Sequence, residues 1–380
     1  MRRCLTTALL GVLTAAPLAG QSSQFGVRGL GLPMSPISVR ATGTGGGFAL
    51  FDPASALNPA SIGQVSFLNA SFQTVQSWRH SESPAGSAST RDNRYPGVFV
   101  AGPIGGTRLS ISLSASGYTD RNFVLASRDT LILRGQPVEA FDTISSQGGL
   151  SDLRAAVGWR QSRAIQWGLG LHMITGSNRI VSHRAFADST YSGASERFTY
   201  SYLAFGVSAG IVARVGKTVT LAGMVRADDR VRVELDTASL GKAKLPLTFS
   251  GGARVQLGDR VLLVGSALYR NWSTASADLV SLGGVGSVNT TEFSAGLEYY
   301  TNTRRISHRP LRLGVRHATL PFPLRLGDKT SETAISFGTS FRFVAERAGL
   351  DLALQRVWRK GGAGFTERAV LLTLGVSVRP

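Results

Sequence analysis

Cysteine is almost missing from this chain: the single one among 380 residues is Cys4. It falls inside an N-terminal stretch built like a secretory leader. The remainder therefore has no disulfide, no thiolate nucleophile and no cysteine metal ligand, and suits an oxidising compartment. Lysine is scarce too, limited to Lys217, Lys242, Lys244, Lys329 and Lys360, so the 41 basic residues are nearly all arginine. Against 23 acidic residues they give a formal net charge of +18. Such a balance ordinarily raises nucleic acid as a partner, but the arginines are dispersed, with no basic helix and no interleaved aromatics, so none is expected. Anionic lipopolysaccharide, phospholipid headgroups or carboxylated ligands fit better. Long apolar runs are also absent after the leader. None reaches the roughly 18 residues that a membrane helix needs, which excludes helical spans.

The leader itself reads Met1-Arg2-Arg3, an apolar stretch from Leu5 to Leu18, and small residues Ala19 and Gly20 before Gln21. Cleavage is expected near residue 20, and Cys4 is too early for a lipobox. The chain then divides into residues 21–63, which do not alternate, and 64–380, which do.

Alternation dominates that last part. Ile165, Trp167, Leu169, Leu171 and Met173 share one face of a strand, and Gln166, Gly168, Gly170 and His172 share the other. Apolar out and polar in is the pattern of an outer-membrane wall between lipid and a wet lumen, and it explains a mean hydropathy of only +0.06. The expected fold is all-β, a transmembrane antiparallel barrel of about fourteen strands with an N-terminal plug. Strand starts are expected near Gln64, Arg94, Gly106, Gly149, Arg163, Glu196, Lys217, Lys244, Arg260, Val288, Pro310, Ser331, Ala348 and Arg368. Tight turns such as Gln161-Ser162, Val215-Gly216 and Gly258-Asp259 mostly alternate with long polar connections at Ser77 to Asn93, Thr119 to Gly148 and Ser177 to Ser195. Short periplasmic turns and longer outside loops give this alternation; the connection Thr301 to Arg309 breaks it.

Parity also assigns faces. Leu109, Ile111, Leu113, Leu203, Phe205, Val207, Leu221, Phe249, Phe293, Leu297, Phe337, Phe341, Leu372 and Leu374 should meet lipid. Arg154, Arg160, Arg226, Arg254, Arg312, Arg316 and Arg342 should point inward near Asp152, Glu292, Glu298 and Asp351, lining a solvated, salt-bridged lumen.

Residues 21–63 are rich in Gly, Pro and small side chains, and a compact irregular segment ahead of a first strand is placed to fold back as a plug. Within it lie Arg40-Ala41-Thr42-Gly43-Thr44-Gly45-Gly46, Phe48-Ala49, Asp52-Pro53-Ala54-Ser55-Ala56-Leu57 and Asn58-Pro59-Ala60. This combined stretch resembles the FadL-type outer-membrane transport family for long-chain fatty acids and aromatic hydrocarbons, including its PorV-like relatives. The resemblance implies a fourteen-stranded barrel closed by an N-terminal hatch, with Gly45, Gly46, Asn58, Pro59 and Ala60 as the hatch motif. It further implies hydrophobic ligands captured outside and released sideways through a kinked third strand, here beginning near Gly105-Gly106. The PorV-like branch implies an alternative role, anchoring or shuttling secreted proteins without small-molecule transport.

Other motifs carry less. Gly206-Val207-Ser208-Ala209-Gly210 matches a nucleophile elbow, but Ser208 lies inside an alternating strand and not at a strand-to-helix turn. Gly210 to Thr218 has one residue too many for a phosphate loop and leads into a strand. His80, His172, His183, His308 and His317 show no metal-ligand spacing. No catalytic residue, metal or cofactor is expected, and the protein is read as a non-enzyme. Phe198, Tyr200 and Tyr202 share one strand face, either as an interfacial girdle or, with Arg226, Arg254, Arg312 and Arg316, as lining for a ligand with an apolar body and an acidic head. The expected partners are outer-membrane lipid and lipopolysaccharide, a hydrophobic small molecule and the barrel-insertion machinery, with the chain as a monomer in the outer membrane of a Gram-negative-type bacterium.

Overall fold

Backbone pairing turns the alternation into a closed wall. The computed structural model describes residues 23–34, 38–84, 86–236, 238–302, 309–325, 327–344, 347–362 and 364–379. The leader, Gln21, His308 and most of the basic connection after Thr301 lie outside them. Fourteen strands form the wall in chain order: β1 (Asn69–Ser83), β2 (Gly86–Pro103), β3 (Leu109–Asp120), β4 (Gln136–Arg160), β5 (Ile165–Phe186), β6 (Ala194–Val215) and β7 (Val219–Asp228), then β8 (Thr248–Leu257), β9 (Val261–Arg270), β10 (Thr290–Tyr299), β11 (Leu311–Thr319), β12 (Ser331–Phe343), β13 (Ala348–Lys360) and β14 (Thr366–Val378). Every neighbour is antiparallel, and β14 closes on β1 from Thr366↔Glu82 to Val378↔Ala70. No edge is left unpaired by topology, which is what a strand wall in lipid requires.

The expected faces hold. Leu171 is 67% exposed and Phe293 59% on the outer surface, whereas Arg154, Arg312 and Arg316 are buried within. The expected long loops do not hold. The three connections read as long polar loops are largely strand: Ser77 pairs with Asp92, and Ser145 with Val181, far above the apolar band. Hydropathy alternation fades where both faces meet water, but a main-chain ladder needs no apolar side chain. At about 3.3 Å per residue the 25 residues of β4 far exceed a bilayer core of roughly 30 Å. For the same reason β2 begins at Gly86, well before Arg94.

The inward charges are paired as expected, and the lumen also holds the N-terminal segment. Ala41, Phe48, Leu50, Phe51 and Ala60 of the N-terminal segment pack with Val212, Ala222, Met224, Leu262 and Val264 from the inner wall. Each large side chain so buried contributes roughly 1.5–3 kcal/mol. The segment folds by short capped turns. Ser38 accepts from Ala41 N–H at the start of helix α1 (Val39–Gly43), Asp52 caps Pro53–Ser55, and Asn58 caps Pro59–Gln64. Both 3-10 turns that follow Asp52 and Asn58 open on proline, which has no N–H to leave unsatisfied. Because Pro59–Gln64 is helical, β1 starts at Asn69 and not at Gln64.

Candidate functional site

The β2–β3 ladder ends halfway, and that gap organises the site. Pairing runs from Pro103↔Ser110 to Gly97↔Ser116 and stops where Pro96, lacking an N–H, precedes Gly97. Beyond it β3 shifts register between Gly117 and Thr119 and pairs instead with the N-terminal segment, Leu32↔Asp120 and Pro33↔Thr119. Met34 N–H donates to Tyr118 O at 3.1 Å. The strand then breaks at Arg121-Asn122 before resuming over Phe123–Leu133 against β4. The irregularity is therefore at the far end of β3; Gly105 and Gly106 lie in the turn before it.

On the outer surface beside this gap, Val98 and Val100 of β2, Leu113 and Ala115 of β3, Leu153, Leu171 and Phe205 line an apolar groove of about 600 Å³. Inside, two cavities of about 80 Å³ each share Pro33 and Met34 in their walls. Ligand pockets commonly span about 300–1,000 Å³, so neither holds a sizeable ligand without movement. Toward the long-loop end Leu30, Leu150, Ile174, Tyr202, Val231, Trp272 and Phe322 form one apolar cluster, with Tyr200 packed against it. Tyr200 and Tyr202 thus face inward and form no girdle at a lipid interface. Phe198, opposite Ile180 in the ladder, lies one turn of the pleat further out and outside that cluster.

The hatch motif is seated on wall glycines. Asn58 is 0% exposed, its amide donating to Leu50 O at 3.1 Å and Ile211 O at 3.3 Å while its Oδ1 accepts from Ala60 N–H. A methyl group on Gly168 would fall on the backbone of Pro59 and Ala60, and one on Gly314 on that of Thr44 and Gly45. Gly45 and Gly46 themselves hold φ of +66° and +98°, where a side chain is strained. Residue 45 also runs against the Val315 backbone.

Of the four arginines expected to meet a ligand, three are committed elsewhere. Arg226 bridges Asp152 at 2.5 Å and Asp228 at 2.8 Å; Arg312 holds Glu298 at 2.9 Å; Arg316 lies between Glu292 and Glu332. Glu298 also takes Arg40 of the N-terminal segment at 2.5 Å. Burial works against the Arg40 charge, yet Glu298 and Asp52 hold its guanidinium above the ordinary range. Arg254 alone has no carboxylate partner among the described residues and lies 5.4 Å from the Phe51 ring.

The structure also joins residues that the sequence left apart. His172 contacts Asp152 at 2.9 Å through Nδ1 and Ser208 at 2.9 Å through Nε2. Asp152, His172 and Ser208 share the inward parity of adjacent strands β4, β5 and β6, each two residues from direct cross-strand pairing, a proximity that strand parity could have flagged. Acyl transfer would also need free backbone donors for an oxyanion. Ser208 and its neighbours pair in both flanking ladders, with Gly170 and Arg226 opposite Ser208 itself. The arrangement orients Asp152 toward Arg226. Nearby Arg154, 2% exposed, has no hydrogen-bond partner for its guanidinium among the described residues.

These features define a class: a fourteen-stranded barrel whose lumen is occupied by its own N-terminal segment and whose wall is interrupted at the third strand. No protein-family model and no curated protein matches the sequence. Solved structures of the same architecture include a Pseudomonas aeruginosa FadL homologue, with 14% identity and a TM-score of 0.63 over 92% of this chain and 99% of that one. The Pseudomonas putida toluene transporter TodX aligns at 11% identity and TM-score 0.59 over 93% and 99%, and the Ralstonia pickettii toluene transporter TbuX at 14% and 0.58 over 91% and 98%. The chain has the FadL-type fold.

Proposed function

We propose that this protein is a passive outer-membrane uptake channel for small hydrophobic or amphipathic molecules, with residues 21–63 as its plug. The observation that carries the reading is the β2–β3 gap: the ladder ends at Gly97↔Ser116, the plug's Leu32–Pro33 occupies the vacated edge of β3, and an apolar groove adjoins it outside. An apolar ligand gathered in the long-loop cluster gains about 0.8 kcal/mol per buried methylene. Displacing Leu32–Met34 would join the inner cavities to the groove, so the ligand reaches lipid without crossing water. Met34 suits that place, since its flexible thioether repacks easily and already fills the space over Gly117. The fold shared with two toluene transporters supports this class of cargo; no observation favours the role of anchoring secreted proteins.

The test is uptake of toluene and of a labelled fatty acid by cells with and without the protein, together with a Leu32→Cys/Asp120→Cys pair. Uptake should exceed the empty membrane, fall to background when the pair is oxidised and return on reduction. Wild-type uptake no better than background would reject the channel. Uptake insensitive to the cross-link would place the exit elsewhere.

A further inference from the structure

At the short-turn end, a cavity of about 290 Å³ is lined by Arg160, Arg163, Arg214 and Arg254 with Gln166 and Thr220, and no acidic residue contributes to its wall. Parity makes it a lumen site: Arg160, Arg214 and Arg254 share the inward register of Gly158, Val212 and Gly252, on β4, β6 and β8. It lies under the N-terminal segment, whose Phe51 ring is 5.4 Å from the Arg254 guanidinium, and Gln64 and Ser66 ahead of β1 also line it. Among the described residues, Arg163, Arg214 and Arg254 form no salt bridge, and the Arg160 guanidinium donates to Gly63 O at 2.8 Å. Glu298, the carboxylate that acts on Arg254, is already held by Arg40 and Arg312, while Arg40 and Arg214 repel the Arg254 guanidinium.

Converging guanidinium groups without a counter-charge are stabilised by an anion that accepts several of their N–H donors, and a planar carboxylate can accept that fork bidentately. We infer that this pocket binds the carboxylate head of an amphipathic ligand at the periplasmic mouth. The inference rests on the uptake reading and specifies its ligand class.

The experiment measures binding of laurate, dodecanol and inorganic phosphate to the full barrel in nanodiscs, for wild type, Arg214→Gln/Arg254→Gln and Arg214→Lys/Arg254→Lys. Heat-modifiable gel migration establishes that each variant is folded. Laurate affinity should drop about tenfold or more in the glutamine variant, the weight of one or two charge-assisted hydrogen bonds, and recover partly with lysine, while dodecanol binding stays unchanged. Equal laurate binding in wild type and the glutamine variant would overturn the pocket. So would phosphate competing as well as laurate, which would make it a general anion site. If neither laurate nor dodecanol binds wild type, it is the uptake reading that fails.

Discussion

Two flanks of one barrel hold the N-terminal segment by different physics. Along β10 to β14 the inner wall is a relay of charges: Glu292, Arg316, Glu332, Arg359 and Glu367 alternate, and a second group joins Arg40 through Glu298 to Arg312 and Ser340. Along β4 to β6 the segment packs closely onto wall glycines, with the Pro59–Ala60 backbone on Gly168, the Asn58 side chain on Gly210 and the Ile62 side chain on Gly158. The first flank adds buried charges that cannot be left unpaired to its own close seats of Thr44 on Gly296 and Gly314; the second relies chiefly on volume. Between them, at the β2–β3 gap, Leu32 to Met34 is tied by two ladder positions and one further backbone bond. The part of the plug nearest the proposed exit is the part least anchored, as a moving element must be.

The largest effect should come from breaking the steric flank. Gly168→Val puts a side chain into the Pro59–Ala60 backbone, and a closely packed interior has no room for it. The barrel should still insert and remain heat-modifiable, but its ion conductance in planar bilayers should rise manyfold as the plug loses its seat. Conductance equal to wild type would show that the plug is not held there. Next, Glu332→Gln strips Arg316 and Arg359 of a shared partner. Breaking a buried pair from one side costs about 3–5 kcal/mol, which guanidinium unfolding in micelles would register; a change below about 1 kcal/mol would reduce the relay to ornament.

Smaller still is Arg40→Met. It cuts the tie between plug and Glu298 but leaves Glu298 on Arg312 and keeps the apolar stem over Phe48, whose ring lies 4.0 Å from the guanidinium. A charged hydrogen bond contributes about 1.5–3 kcal/mol, so brief openings should appear in single-channel records while the mean conductance stays near wild type. Sustained full opening would mean that the charged flank, not the glycine flank, dominates. The least effect is expected of Ser208→Ala. His172 retains Asp152 and the ladders are untouched, so stability should fall by no more than about 1.5 kcal/mol and uptake should be unaltered. A loss of several kcal/mol would make the polar chain across β4 to β6 a principal anchor.

How much of this was legible beforehand follows the range of each signal. Leu171 and Leu169 face out because every second residue does, and the turn at Val215-Gly216 shows itself in two residues. Asn58-Pro59-Ala60 likewise gives its own extended cap, with Asn58 at φ −101° and ψ 115°. The polar hairpin from Ser77 to Asn93 was misread as a loop because pairing there leaves no trace in hydropathy. The inward Gly168 read as part of a wet face, when it lets the Pro59–Ala60 backbone approach.

The sequence by itself thus determined what repeats every two residues or lies within a few: the strand number, the two faces, the short turns and a compact segment ahead of the wall. Tertiary structure decided what depends on partners far along the chain. Arg40 meets Glu298, 258 residues away, and Ser23 meets Glu367, 344 away. Which arginines are neutralised and which stand free, and therefore where an acidic ligand could bind, is a property of closure. Inward parity brings every arginine to the lumen alike, and only the register of fourteen ladders selects its neighbour.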